Sequence, residues 1–458
     1  MTGSSGVDTA RAKPDPTIRA LSTGQILLIL AVGLAFSIET AFHLLPLNPF
    51  VHYRDVSILR TCAAFFIPFL AIWWALRNIE RGSAPRMLLL ALLVASNFVL
   101  QLAGLVIDPR GPRLIKAIIL SPTATSYFND ALRIDALSIN GLIGWLSDYH
   151  QADLILHGQS HPPGPIVFCW LCIKLFRPSA AVWVCAFAMA FAGALGVALV
   201  YPFASIWTED SRARLCASAF YALTPVLIVF FPEFDQMYPA MAMLLVLFWY
   251  KSLHAVYGGP WLRHAILLGC TLTLATFFVY QILGIGVFMV LIAVWWLWQQ
   301  TSRPLATILL LRSAVVALVF CAAIYAVLSA ATGFQPIASF LHAIGINATF
   351  LDVPLPAPPV IFNLYVFAVG LGLIAVPLIL LQRELPITRM AILSVIILDL
   401  TGLFAGETDR EWLFLAPIIA VPAGLALARI PWRWRLSLFA MQAWILVCIR
   451  ANISFIEP

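Results

Sequence analysis

Charged side chains are scarce in this sequence. Asp, Glu, Lys and Arg together make up 10% of its 458 residues, while 62% are hydrophobic. A soluble fold needs about a quarter of its residues charged to cover its surface, which excludes the two or three soluble domains that length alone would allow. Mean hydropathy is strongly positive. Cysteine is thinly spread: Cys62, Cys185, Cys216, Cys270, Cys321 and Cys448 stand alone, and Cys169 and Cys172 form the one CxxC. All eight lie in apolar stretches and read as small packing residues, and the CxxC lacks the surroundings of a redox or metal motif. No repeat of 20–50 residues and no low-complexity stretch stands out beyond the N-terminal tail. Basic residues are dispersed over separate short loops instead of forming a patch, which argues against nucleic acid as a partner.

What is present is a series of apolar runs of roughly 18 residues or more, the length that crosses a hydrocarbon layer. The opening 23 residues are polar, carry Pro14 and Pro16, and read as a short disordered cytoplasmic tail without a signal peptide. Residues 24–458 read as one integral membrane domain. The expected fold is all-α and polytopic, with about thirteen transmembrane helices. They fall near 24–46, 61–77, 87–107, 180–206, 215–231, 239–256, 265–281, 283–299, 313–331, 360–381, 390–405, 412–428 and 436–449. Basic loops at Arg77/Arg81/Arg86, Arg212/Arg214, Lys251/Arg263, Arg303/Arg312, Arg383/Arg389 and Arg429/Arg433/Arg435 are assigned to the cytoplasm. The parity then holds if the short run Ile166 to Phe176 does not cross but lies half-buried or in plane. The expected location is a cell membrane, with the N-terminus cytoplasmic.

On that topology the acidic and histidine-containing clusters collect at the extracytoplasmic face: Asp130 and Asp135, Asp148 to His161, Glu233 and Asp235, the 332–359 loop, and Glu407 to Glu411. A transporter would more typically place ionisable groups near the bilayer midplane. Here the helix middles hold only isolated polar residues such as Asn97, Gln101 and Asp399, which read as helix-packing hydrogen bonds.

The outer loop 108–165 is the longest polar stretch. Within Thr125-Ser-Tyr-Phe-Asn-Asp-Ala-Leu-Arg133-Ile-Asp135, apolar and charged residues mix at helical spacing, as in an amphipathic interfacial helix. Asp130 and Arg133 stand three apart, either as a decorating ion pair or as functional groups. In His157-Gly-Gln-Ser-His161-Pro-Pro-Gly-Pro165 the Pro pair stiffens the chain, and both histidines can exchange hydrogen bonds near neutral pH. They cap the turn, orient a substrate, or hold a metal whose third ligand the sequence does not reveal. Glu233 and Asp235, in the turn Phe231-Pro-Glu-Phe-Asp-Gln-Met-Tyr-Pro239, are open to a divalent cation, a cationic group or simple hydration. Gly406-Glu-Thr-Asp-Arg-Glu-Trp412 sets Arg410 beside Glu407, Asp409 and Glu411, an ion-pair network or an anion site for a phosphate.

The ordered series His161-Pro-Pro-Gly-Pro, Lys174-Leu-Phe-Arg-Pro-Ser179, a long helix through Tyr201, Arg212-Ala-Arg214, Ala217 to Pro225 and Pro232-Glu-Phe-Asp235 resembles GT-C glycosyltransferases. The similar branch depends on polyprenyl-phosphate sugars and includes protein O-mannosyltransferases and lipid-A aminoarabinose transferases. The resemblance covers about a fifth of the chain. It implies inverting sugar transfer at the outer face from a polyprenyl-phosphate donor to a glycan, lipid or protein acceptor. It also implies a catalytic aspartate upstream of the Pro-Pro motif, Asp130 with Asp135 in reserve, and an outer aspartate at Asp235. The family's loop usually reads Asp-Glu and follows the first span, whereas Ala131 follows Asp130 here and three spans precede it. The chemistry needs a carboxylate to take the acceptor proton and donors to hold the departing phosphate. Arg410, then Arg133, are the expected phosphate contacts within a group that includes Glu407 and Asp409, and His157, His161, Glu233 and Asp235 are the expected orienting residues. The rival expectations are a lipid or solute transporter or flippase, and a non-catalytic relative that binds polyprenyl lipids.

Overall fold

The computed structural model describes residues 21–44, 51–254, 260–349, 358–402 and 407–454. The expected tail up to residue 20, positions 350–357 of the 332–359 loop, and Gly406 lie outside the described residues.

The fold is all-α. The first three helices, α1 (Thr23–Ala41), α2 (Ile58–Arg81) and α3 (Arg86–Ile107), are long and apolar. A capping box of Ser22 and Gln25 starts α1, which satisfies amide groups that have no partner inside the helix. Gly82, at φ 63°, ends α2 in the left-handed conformation that glycine adopts without strain. Four short helices follow: α4 (Arg113–Ile119), α5 (Tyr127–Arg133), α6 (Ile139–Ser147) and α7 (Leu156–Ser160). Next come α8 (Gly164–Ala204), α9 (Ser211–Ala222), α10 (Val226–Val229), α11 (Tyr238–His254), α12 (Trp261–Phe278), α13 (Ile285–Trp298) and α14 (Arg303–Thr332). The chain continues through α15 (Pro336–Thr349), α16 (Pro359–Leu371), α17 (Ala375–Leu380), α18 (Pro386–Leu400), α19 (Thr408–Glu411), α20 (Ala416–Ala428) and α21 (Trp432–Asn452). A two-residue strand β1 (His52–Tyr53) pairs antiparallel with β2 (Ile453–Ser454), tying the loop after α1 to the segment after α21.

Eight helical segments among the described residues are long and apolar enough to cross a membrane, fewer than the thirteen expected. The difference lies in interruptions and length. The expected span 215–231 is split at Thr224 and Pro225 into α9 and α10, and 360–381 is split at Gly372 and Leu373 into α16 and α17, since those two residues take positive φ. The segment Ile166 to Phe176, expected half-buried or in plane, is the first limb of α8. It is divided from the second limb by Arg177 at φ 65° and ψ 155°, and Pro178 disfavours a helical conformation at the residue before it. The interfacial helix expected across Thr125 to Asp135 ends at Arg133, and it buries Tyr127, Phe128, Asp130 and Ala131. Its charged aspartate therefore lies on the packed face.

At the centre, α20 is buried along its whole length against α9. Gly424 makes this possible, because a Cβ there would collide with the backbone of Ala217. At the periphery, α14 buries only Ala306, Ser313 and Ala317 and exposes Ile308, Val315, Leu318 and Val327, as a helix facing lipid should. The isolated polar residues do pack helices together. Asn97 donates to the Ala222 carbonyl (2.9 Å), Gln101 donates to Asn97 (2.8 Å) and Ala190 (3.1 Å), and Gln236 donates to Gln101 (2.9 Å). Asp399 accepts from Asn363 at 3.0 Å.

The bundle has two chemically different ends. At one, Glu80 pairs with Arg212 and Arg435, and Arg435 also donates to the carbonyls of Leu427 (2.8 Å) and Ile430 (2.7 Å) at the end of α20. Arg86 and Arg214 sit over the Tyr201 ring at the same end. Following α9, α11 and α20 to their far ends leads to the acidic and histidine clusters.

Candidate functional site

Three chain segments build the site: the α5–α7 region, the turn before α11, and α19. The Pro162–Pro163 pair stops the chain after His161 and launches α8, whose Gly164 packs so tightly on the Phe277 carbonyl that a Cβ would collide with it. This fixes the histidine turn. The Tyr149 hydroxyl lies 2.9 Å from the carbonyls of both Gly158 and His161. His157 Nε2 lies 2.8 Å from the Thr123 carbonyl, and His161 Nδ1 lies 3.0 Å from Ser160 Oγ and 3.1 Å from the His157 carbonyl. Tyr127 stacks edge-on with His161 (5.5 Å between ring centres) and Phe234 (5.4 Å), joining α5 to the turn before α11.

That turn is a 3-10 segment, Phe234–Met237, with Glu233 buried at its start and Asp235 partly exposed. Against it comes α19. Arg410 pairs with Glu407 and lies 3.7 Å from Glu233, while its backbone N–H meets Asp409 Oδ1 at 3.1 Å. Thr408 donates to the Asn363 carbonyl at 2.7 Å and anchors α19 to α16.

Electrostatics ties these pieces together. Burial pulls the Arg410 guanidinium down, but Glu407, Glu233, Asp235 and Glu411 outweigh it and hold the group well above its ordinary value. Burial pushes Glu233 well above the usual carboxylate range and also raises Asp235; Arg410 opposes both shifts. Asp409 is pushed up to about 7 by burial and by Glu407, and Glu411 to about 8 by the same two causes. Burial and the nearby Arg410 charge depress His157 to about 4, and burial, His157 and Arg410 depress His161 to about 3, so both imidazoles are neutral at pH 7. The outcome is one fixed cation, a graded set of protonatable carboxylates and two neutral imidazoles. Such a set can donate or accept protons near neutrality.

The sequence-derived residues Glu233, Asp235, Glu407, Asp409, Arg410, His157 and His161 therefore share one electrostatic neighbourhood. Asp130, Arg133 and Asp135 take other partners. The Asp130 carboxylate is buried and accepts the Ile155 N–H (3.1 and 3.3 Å) at the start of α7, with Arg133 at 3.7 Å. Burial raises it to about 6. Gly158 leaves room for this carboxylate, because a Cβ there would collide with Oδ2. Arg133 donates to the Asp153 carbonyl at 3.2 Å, and Asp135 pairs with Lys174 at 3.1 Å. Tyr127, Tyr149 and Glu411 complete the site. All three lie inside the sequence clusters, but nothing in their spacing says which face they take. Among the described residues, no three of His, Cys, Asp and Glu are placed to hold one metal ion.

No protein-family model and no curated protein matches the chain. Among solved structures, the chain is similar to the Archaeoglobus fulgidus oligosaccharyltransferase, whose crystal structure is a complex with zinc and sulfate. The identity is 14% and the TM-score 0.41, over 78% of this chain and 53% of that one. The chain thus spans about half the length of that structure.

Proposed function

We propose that this polytopic membrane protein is a glycosyltransferase of GT-C type, moving a sugar from a polyprenyl-phosphate donor to an acceptor at the extracytoplasmic face with inversion. The observation that carries the reading is the meeting of Arg410 with Asp235, Glu233 and Glu407 beside His157 and His161 at the end of the bundle. Departure of a lipid phosphate needs a fixed cation that survives partial burial, and Arg410 is held charged. In this scheme the phosphate takes over from Glu407 as the partner of Arg410. The acceptor proton goes to a carboxylate that is reachable and near Arg410. Asp235, partly exposed and raised, suits that role better than the buried Asp130, whose oxygens already hold the Ile155 N–H. Asp130 then acts as a positioning residue: it fixes α7 and, through it, His157. His157 and His161, neutral and anchored, orient donor or acceptor hydroxyls.

The test is transfer of labelled sugar from a polyprenyl-phosphate donor in membranes. Asp235→Asn and Arg410→Ala are expected to lower transfer by about 10²-fold or more, in the range for losing a general base or a charge-stabilising donor. Asp130→Asn is expected to lower it less, with a larger change in KM than in kcat. A reversed ranking, with Asp130→Asn dead and Asp235→Asn active, would return the base to Asp130. Wild-type protein that binds no polyprenyl-phosphate sugar would overturn the reading. A proton-coupled transporter is then the second reading, favoured by the carboxyls that titrate near neutrality at this face.

A further inference from the structure

The turn between α12 and α13 also reaches the histidine loop, although it holds none of the polar clusters seen in the sequence. Val279 ends α12, and Gln281–Gly284 form a 3-10 turn before α13. Both sides of this turn are pinned. The Phe277 carbonyl lies on Gly164, three residues after His161, where a Cβ would collide with it. At the far end Gly284 lies against the ring of Phe414, in the segment that follows α19. Tyr280 packs edge-on against Phe340 of α15, with 5.1 Å between ring centres. Gln281 is thereby held with its Nε2 3.5 Å from Nε2 of His161, and both side chains stay partly exposed.

The contacts around His161 fix which of its nitrogens carries the proton. A carbonyl oxygen only accepts, so Nδ1, 3.1 Å from the His157 carbonyl, is the N–H nitrogen. The ring is neutral at pH 7, since burial, His157 and Arg410 depress it to about 3. Nε2 therefore presents a lone pair, and the Gln281 amide N–H faces it. The His157 carbonyl is held in turn, because His157 donates through Nε2 to the Thr123 carbonyl at 2.8 Å. At 3.5 Å the Gln281–His161 contact is at the limit of a hydrogen bond. An oxygen placed beside both atoms can lie at an ordinary distance from each, donating its proton to His161 and accepting from Gln281. A hydroxyl has that double capacity. An ether oxygen only accepts, an ammonium only donates, and a C–H does neither.

We propose that Gln281 and His161 together grip one hydroxyl of the transferred sugar, which makes Gln281 a specificity-determining residue. That role presupposes the glycosyltransferase reading above. Its place in the site points to the donor sugar. Tyr127 lies edge-on to both His161 (5.5 Å) and Phe234 (5.4 Å), and Glu233, next to Phe234, is 3.7 Å from Arg410. The pair thus stands close to the proposed phosphate contact, and the sugar of a glycosyl phosphate is one bridging oxygen away from its phosphate. His161, depressed to about 3, is too weak a base to keep the hydroxyl proton. The contact selects and orients the sugar and leaves proton uptake to Asp235.

The experiment uses the full-length protein, purified in detergent and stripped of lipid. Native mass spectrometry reads retention of undecaprenyl phosphate and of its mannosyl, glucosyl and galactosyl derivatives. The wild type is expected to retain at least one of the three about tenfold better than bare undecaprenyl phosphate, as for one or two neutral hydrogen bonds. Gln281→Ala, and Gln281→Met, which keeps the length without an N–H donor, are each expected to lose that increment. Both should retain bare undecaprenyl phosphate as the wild type does, which reports that they are folded. A residue that only packs the turn would keep the increment in Gln281→Met. Monodeoxy analogues of the preferred sugar identify the hydroxyl: one is expected to bind the wild type about tenfold more weakly than its parent, and Gln281→Ala equally well. Arg410→Ala is expected to lower retention of bare and glycosylated lipid alike. Wild type that retains neither would overturn the glycosyltransferase reading and the hydroxyl grip with it. No sugar preference in the wild type, or the same preference in both Gln281 variants, would overturn the grip alone and leave that reading standing.

Discussion

The Glu411 carboxyl is buried beside Glu407 and near Asp235 and Asp409, and burial and Glu407 push it up to about 8. Asp409 behaves alike at about 7. A carboxyl raised in the folded state binds a proton there that the unfolded chain, titrating near 4, has already lost. Its contribution to stability is therefore complete below about pH 4 and falls away as pH rises through about 7 to 8. The depressed histidines have the opposite sign, losing stability as pH falls below about 6.5, where the unfolded chain takes up protons first. The melting temperature is thus expected to peak in mildly acidic buffer and to fall between pH 6 and 9. Glu411→Gln should flatten the alkaline limb while leaving the acidic limb in place. Thermal unfolding of both proteins across that range checks this, and an unchanged alkaline slope in Glu411→Gln would mean that Glu411 is ionised throughout.

At the scale of elements, what was legible in the sequence was where apolar length begins and ends. Ser22, Ser57 and Asp210 cap α1, α2 and α9 with side-chain hydrogen bonds, at the polar ends of the segments they start. Interruptions were harder to see. Pro225 could end a helix or kink it, and the turn at Gly372 and Leu373 takes positive φ at both residues, which a leucine does not announce. The site divided along the same line. The charged clusters were visible because charge at a membrane boundary is rare, yet the side of α5 that carries Asp130 was not, since the sequence holds no record of α7 packing against it. The α9–α20 contact gives an element-level test. Gly424→Leu would drive a side chain into the Ala217 backbone and is expected to cost at least about 1–3 kcal/mol, the range for overpacking a core. Gly286→Ala, with nothing within 4 Å of the added carbon, is expected to leave the melting temperature unchanged or slightly raised. Equal stability of the two variants would mean that the helices are not in close contact.

At the scale of the whole molecule, helices in lipid gain little from burying apolar surface against one another, so packing and polar clamps carry more of the association. Both ends of this bundle have such a clamp. The β1–β2 pair and the Arg54–Asp108–Arg110 group join the ends of α2, α3 and α21 on one side. On the other, Glu80 alone receives Arg212 from α9 and Arg435 from α21, and Arg435 is 2% exposed. Removing the carboxylate leaves Arg435 buried with carbonyl partners only. Breaking a fully buried pair costs about 3–5 kcal/mol, and the partial exposure of Glu80 places Glu80→Gln below that, at about 1–3 kcal/mol. The loss should persist at high salt, because the Arg435 side of the pair is shielded from solvent ions. A melting temperature insensitive to Glu80→Gln would mean that the carbonyls ending α20 suffice to hold Arg435, and that the bundle is closed at this end by packing alone.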